Sequence, residues 1–126
     1  MLPATHRMVD AASFRATTRR GRRAGSATLV THLLADPAVG GLVGVAGPLA
    51  GFVVSNAVGN AVVRNRVKRR LRHLVAERID ALPASSRLVV RANPVAATAS
   101  YRELGSDLDR CLKRVLGPDD QGARST

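Results

Sequence analysis

Val58-Gly59-Asn60-Ala61-Val62-Val63-Arg64-Asn65-Arg66-Val67-Lys68-Arg69-Arg70-Leu71-Arg72 is the stretch from which the rest of the chain is read. Six of its last nine residues are cations, and none of the fifteen is acidic. Gly59 breaks a preceding strand, and Asn60 suits an N-cap, its side-chain oxygen taking up an orphan backbone N–H. Val63, Val67, Leu71, Leu74 and Leu82 recur at spacings of three or four and their multiples, which predicts one apolar face of a helix running to about Ala81. Asn65, Arg69 and Arg72, at i, i+4 and i+7, fall on the opposite face, flanked by Arg66 and Lys68. One face then packs on a core while the other presents a comb of cations. Such a comb suits regularly spaced phosphates, because a guanidinium can fork onto two oxygens.

A helix that is merely solvated usually mixes signs in i,i+4 pairs. Here no acid occurs between Asp36 and Glu77, and the whole chain of 126 residues carries a net charge of +11. Repulsion on that scale is expected where a polyanion will neutralise it. Nucleic acid is the first class of partner implied, an anionic membrane surface the second. Two Phe, one Tyr and no Trp argue against a single-strand binder built on aromatic stacking platforms. Cys111 is the only cysteine, which rules out an internal disulfide and fits a reducing compartment. No apolar signal core is visible between Met1 and Thr31. The uncharged run from Pro37 to Val63 contains Pro48 and six glycines, and reads as loop plus strand, not as a membrane helix.

The length suits one domain. Met1 to Met8 reads as an extended arm. Asp10 caps a short helix from Ala11 to about Arg20, stopped by Gly21. Arg15, Arg19, Arg20, Arg22 and Arg23 make a second basic cluster, for which phosphate contact and surface solubility are equally open. Ala27 to Leu34 alternates as a strand, with Leu29, Thr31 and Leu33 on one side. Gly40 to Gly51 lacks a phosphate-loop pattern and reads as a connection, with one more strand possible near Gly41 to Val45. Gly51 to Ser55 is a short strand feeding the basic helix. Arg87 to Ala92 is another, and Pro94 to Thr98 a loop. Ser100 and Glu103 form a capping box. Tyr101, Leu104, Leu108, Cys111, Leu112 and Val115 give the apolar stripe of a last helix, ended by Gly117-Pro118, with Cys111 as a small core residue. Residues 1–116 are thus expected to form one domain and 117–126 a disordered tail.

Protein-borne catalysis finds no constellation here. His6, His32 and His73 are scattered, and no metal-ligand spacing occurs. Asp107 and Asp109 are two apart on a helix and do not share a face. Nothing resembles a paired-carboxylate site for phosphodiester cleavage.

Gly59-Asn60-Ala61-Val62 followed by Arg64-Asn65-Arg66-Val67-Lys68-Arg69-Arg70-Leu71-Arg72 resembles the Arg-Asn-Arg signature of the protein subunit of bacterial ribonuclease P. Leu2-Pro3, His6-Arg7-Met8 and Phe14 resemble that family's opening, and Gly51-Phe52-Val53-Val54-Ser55 the strand before its signature. The resemblance implies an α+β fold of order α-β-β-β-α-β-α, an α/β sandwich with one central sheet and a basic crossover helix. It implies a protein that binds the catalytic ribonuclease P RNA and the 5′ leader of precursor tRNA, promoting 5′ maturation while the chemistry stays with the RNA. Asn60, Arg64, Asn65, Arg66, Lys68, Arg69, Arg70 and Arg72 are then the expected RNA-binding residues, and Phe14, Thr18, His32 and Arg91 the expected leader cleft. A plain surface histidine is the other reading of His32. Magnesium is expected mainly through the RNA, with no metal site on the protein. The resemblance further implies a cytoplasmic, monomeric protein in a one-to-one ribonucleoprotein, away from membranes. Three positions depart from the family: Asn56 where lysine is usual, Leu49 where arginine is frequent, and Thr18 in place of a second aromatic. These bear on leader affinity and on the path into Phe52.

A regulator placing the basic helix in the DNA major groove is the alternative, weakened by the lack of a helix-turn-helix pair or zipper. A membrane-surface helix is weaker still, because its apolar side carries no Trp or Phe anchor.

Overall fold

The computed structural model describes residues 6–8, 11–35, 47–83 and 86–117. Its principal elements are helix α1 (Ala11–Arg20), strands β1 (Arg22–Gly25), β2 (Leu29–Ala35) and β3 (Leu49–Val53), helix α2 (Ala61–Ala76), strand β4 (Ser86–Ala92) and helix α3 (Tyr101–Leu116). This is the expected α-β-β-β-α-β-α order, with short 3₁₀ turns at Ile79–Ala81 and Pro94–Ala97.

The sheet runs β1-β2-β4-β3. β2 is antiparallel to both β1 and β4, whereas β3 and β4 are parallel neighbours. Parallel neighbours need a crossover, and α2 supplies it. Alternation along the strands builds the layers. Leu29, Leu33, Leu88, Val90, Ala92 and Ala50 turn to one side and join Val67, Leu71 and Leu74 of α2 and Leu104, Leu108, Cys111 and Val115 of α3 in a single core. The intervening residues turn to the other side, where α1 crosses β2 and β4. Cys111 is buried in that core, as its place on the apolar stripe predicts.

Local chemistry fixes the two long helices. Asn60 Oδ1 accepts the Val63 N–H at 3.0 Å, the N-cap expected for α2. Gly59 enters it at φ +157°, where an added Cβ would lie 2.9 Å from Val63 Cγ1, so a side chain is disfavoured twice over. At α3, Ser100 Oγ accepts the Glu103 N–H at 3.0 Å and Glu103 Oε1 accepts the Ser100 N–H at 2.8 Å, closing the expected capping box. Buried Asp107 ties α3 to the entry of β2, accepting from the Thr28 hydroxyl at 2.6 Å and the Thr28 N–H at 3.2 Å. The Thr28 hydroxyl chiefly holds the Asp107 carboxyl below its usual range.

Several boundaries differ from the sequence expectation. The remaining strand of the sheet is Arg22–Gly25, within the basic cluster, and the segment Gly41 to Val45 lies outside the described residues. Only Ala24 of those four residues is buried, so no apolar alternation marks the strand. Its pairing comes from the backbone of β2 at the sheet edge. α2 ends at Ala76, not Ala81. There Arg78 reaches back to donate to the Leu74 carbonyl at 2.8 Å and also engages Asp109, closing the helix end. Leu82 is buried, but from beyond the helix. Tyr101 does not join the apolar stripe: it is 41% exposed at the first position of α3, a turn before packing begins at Leu104. Asp10 and the tail from residue 118 lie outside the described residues.

Candidate nucleic-acid interface

α2 carries the cations of the signature on three sides of its apolar seam, and its neighbours sort them. Arg64 Nε donates to the Gly59 carbonyl at 3.1 Å. Arg66 donates to the Ala97 carbonyl at 3.3 Å, and Arg70 to that of Ala99 at 3.4 Å. These two tie the Pro94–Ala97 turn to the helix flank. Lys68, Arg69 and Arg72 make no hydrogen bond or ion pair among the described residues, and Asn65 and Arg69 lie exposed on the crest. The expected comb is therefore half tied to backbone and half available. Asn60 stands at its foot with its oxygen engaged in the cap. Val62, 73% exposed in the first turn, is an apolar surface that the sequence reading passed over.

The expected leader cleft divides between two places on the α1 side of the sheet. Arg23, His32, Val89 and Gly51 form one row across the four strands. The half-buried Phe14 ring lies over Gly51, where an added Cβ would come within contact-forbidden range of ring atoms. At about 4.8 Å per strand, His32 sits roughly 10 Å from Gly51 along that row. Burial, with Arg23 and exposed Arg91 beside it, holds the His32 pKa below its ordinary 6.5. Burial and the two guanidinium groups thus disfavour the protonated imidazole. Thr18 is exposed on α1, and its hydroxyl donates back to the Phe14 carbonyl at 3.1 Å and the Arg15 carbonyl at 3.2 Å. The structure thus groups His32 with Arg91, sets Phe14 two strands away, and leaves Thr18 bonded to its own helix.

Phe14 also connects the sheet to α2. A concavity of about 210 Å³ is lined by Phe14 and Phe52, by Lys68 and Arg72 of α2, and by Arg7. Arg7 is placed there because residues 7–8 run alongside β3: Arg7 bridges Ala50, and the Met8 N–H donates to the Ala50 carbonyl at 2.8 Å. His6 Nδ1 donates to the Pro48 carbonyl at 2.8 Å, anchoring the same segment. Sequence reasoning assigned no site role to Arg7 or Phe52 and left Arg23 open between phosphate contact and surface solubility. The basic cluster signalled Arg23, but only β1 places it beside His32.

The carboxylates gather elsewhere. Among the described residues, acids occur only at Glu77, Asp80, Glu103, Asp107 and Asp109, past the end of α2 and on α3. Asp109 and Glu77 engage Arg78, and Asp107 lies 3.4 Å from Arg110. Arg78 is the main cause holding the Asp109 carboxyl below its usual range. No group of three potential metal ligands occurs among the described residues. A magnesium site needs several oxygens free to converge, whereas Asp107 and Asp109 are engaged by Thr28 and Arg78 and Glu103 by the Ser100 N–H. No described helix is long and apolar enough to cross a membrane.

The family model described as Ribonuclease P matches residues 2–116. A ribonuclease P protein component of a Nocardioides species is 60% identical over 115 residues, covering 91% of this chain and 95% of that one. The counterpart from Corynebacterium diphtheriae is 50% identical over 115 residues, covering 91% and 97%. In fold, the chain is similar to the ribonuclease P protein of Staphylococcus aureus, with a TM-score of 0.73 at 21% identity over 89% of this chain and 98% of that one. The Thermotoga maritima protein gives 0.71 at 20% identity, over 88% and 98%.

Proposed function

We propose a function from one premise: the chain belongs to the ribonuclease P protein family. It is the protein component of ribonuclease P, the accessory subunit of the endoribonuclease that matures the 5′ end of tRNA, and its partners are ribonuclease P RNA and precursor tRNA. Within that role, α2 is the contact to the RNA subunit. The observation that carries this is the set Lys68, Arg69 and Arg72, without protein partners among the described residues, on a helix with no acid from Pro37 to Ala76. Arg64, Arg66 and Arg70 keep further N–H groups beyond those given to carbonyls, so they add charge while holding the helix in place. Asn65 and Asn60 offer amide donors on the same surface.

The α1 side of the sheet receives the 5′ leader. Phe14 supplies a stacking face, and Arg23 and Arg91 supply charge on either side of His32. Thr18, where the family usually has a second aromatic, removes one stacking face, so leader binding leans on Phe14. Asn56 is exposed in the turn after β3 and Leu49 opens that strand, so both departures remove a cation beside this path.

Magnesium enters through the RNA partner, a reading supported by the lack of any group of three potential metal ligands among the described residues, and no step of the chemistry is assigned to a protein side chain. A monomer in a one-to-one ribonucleoprotein in the cytoplasm completes the reading. Lone cysteine usage and high positive charge support it.

Reconstitution tests the function. Purified chain alone should leave precursor tRNA intact. Added to ribonuclease P RNA at low magnesium, it should enhance cleavage of leader-bearing substrate. RNA-independent cleavage by nuclease-free protein would contradict the accessory role.

A further inference from the structure

The chain has three aromatic residues. Phe14 and Phe52 line the concavity at β3, whereas Tyr101 stands on the opposite flank of α2. It is 41% exposed, and its hydroxyl has no hydrogen-bond partner among the described residues. A tyrosine left half in water, next to cations and without a partner for its polar tip, offers a ring face for a ligand. It lines a depression of about 100 Å³ together with Arg69, Arg70 and His73. That volume is below the roughly 300–1,000 Å³ of small-molecule sites, but a planar group needs only one open face to stack on.

The placement is built. Arg70 bonds the Ala99 carbonyl and Arg66 the Ala97 carbonyl, which hold the segment before Tyr101 against α2. No acid lines the depression. The nearest carboxylate on α3, Glu103, is turned to the Ser100 N–H in the capping box, which also occupies the helix end. An anion beside Tyr101 therefore meets guanidinium groups, not the start of α3.

We propose that Tyr101, with Arg69, Arg70 and His73, holds one unpaired nucleotide of the partner RNA, the base stacked on the Tyr101 ring and its phosphate on the Arg69 guanidinium. Every base has a π-face and no base-edge donor is fixed here, so the contact tolerates any base. It extends the RNA interface from α2 onto the start of α3, and it rests on the reading of α2 as the RNA-binding helix.

The test measures affinity of the full chain for ribonuclease P RNA across a salt series, with Tyr101→Leu, Tyr101→Phe and Arg69→Ala. Tyr101→Leu should weaken binding roughly 5- to 100-fold, the usual range for one base–aromatic stack. Its salt slope and unfolding midpoint should stay those of the wild type, and one nucleotide of the bound RNA should become reactive to base-specific probes. Tyr101→Phe should restore most of the affinity. Arg69→Ala should instead reduce the salt slope by about 0.7–0.9. Wild-type affinity in Tyr101→Leu with a loss in Arg69→Ala would overturn the proposal and leave the role of α2 standing. Wild-type affinity in both would overturn both. Equal losses in the Leu and Phe variants, or a lowered unfolding midpoint in Tyr101→Leu, would make Tyr101 a hydrogen-bonding or packing residue and also overturn it.

Discussion

Arg69, in the middle of α2, and Arg78, two residues past its end, share a side chain and differ in surroundings. Arg78 meets two carboxylates, Asp109 and Glu77, and the Leu74 carbonyl. Arg69 meets no partner among the described residues and lies open to solvent. The first arginine closes a helix end and docks it on α3. The second keeps its charge for a ligand. On the same helix, Arg66 and Arg70 bond backbone carbonyls across the flank and position the segment that carries Tyr101. A run of cations thus has a role at each position set by the acids and carbonyls within reach, and the number of cations alone overstates how many face the RNA.

The comparison breaks most visibly under charge reversal. Arg69→Glu with Arg72→Glu should lower affinity for ribonuclease P RNA by about two orders of magnitude or more, because each change replaces an attraction to phosphate with a repulsion. Stimulation of cleavage should vanish with it. The fold should persist, since solvent-facing substitutions usually cost within about 0.5 kcal/mol each. A folded double variant that still stimulates fully would move the contact elsewhere, with Arg19 to Arg23 the next place to look.

Next in size is a stability effect at the acidic end. Asp107→Ala removes a buried carboxylate that accepts two bonds from Thr28, and should cost about 1.5–3 kcal/mol in chemical denaturation. Its folded-state pKa is lowered, so its contribution is present above the ordinary carboxylate value of 3.8 and is lost as pH falls through the lowered one. Asp107→Asn should flatten that acid limb of the stability curve. An unchanged limb would assign the acid sensitivity to Asp109 and Arg78.

Phe14→Ala should weaken binding of leader-bearing precursor tRNA by about 1–3 kcal/mol, with little change for mature tRNA. Gly51→Ala sharpens the point without touching the ring, because the new methyl group must push Phe14 off the sheet. It should affect leader-bearing substrate selectively as well. Equal losses for both tRNA forms would make Phe14 a packing residue.

The smallest effect concerns His32. Between its lowered folded pKa and 6.5, the unfolded chain binds more protons than the folded one, so stability should rise with pH across that window. His32→Gln should remove this shallow slope from denaturation curves measured either side of pH 6.5. A slope unchanged by the substitution would trace it to another histidine.

Much of this was legible in the sequence where one physical signal dominated. The four-residue spacing of Val63, Val67 and Leu71, the Asn60 cap and the Ser100–Glu103 box act locally, and all three hold in the fold. β1 was not legible, because its residues pair through backbone and bury only Ala24. Tyr101 matched the apolar period of α3 but precedes the point where the helix meets its neighbours, which periodicity does not encode. The division of the signature cations into tied and available was likewise hidden. It depends on where the carbonyls of Ala97 and Ala99 arrive, some thirty residues away along the chain.

The salt dependence of binding to ribonuclease P RNA tests the central claim most directly. If the three available cations of α2 each neutralise one phosphate, the slope of log affinity against log salt should be roughly −2 to −3. Arg69→Ala should make that slope shallower by about 0.7–0.9, while Arg78→Ala should leave it unchanged. A wild-type slope near zero, or equal slope losses from the two variants, would contradict the assignment of the RNA contact to the available cations of α2.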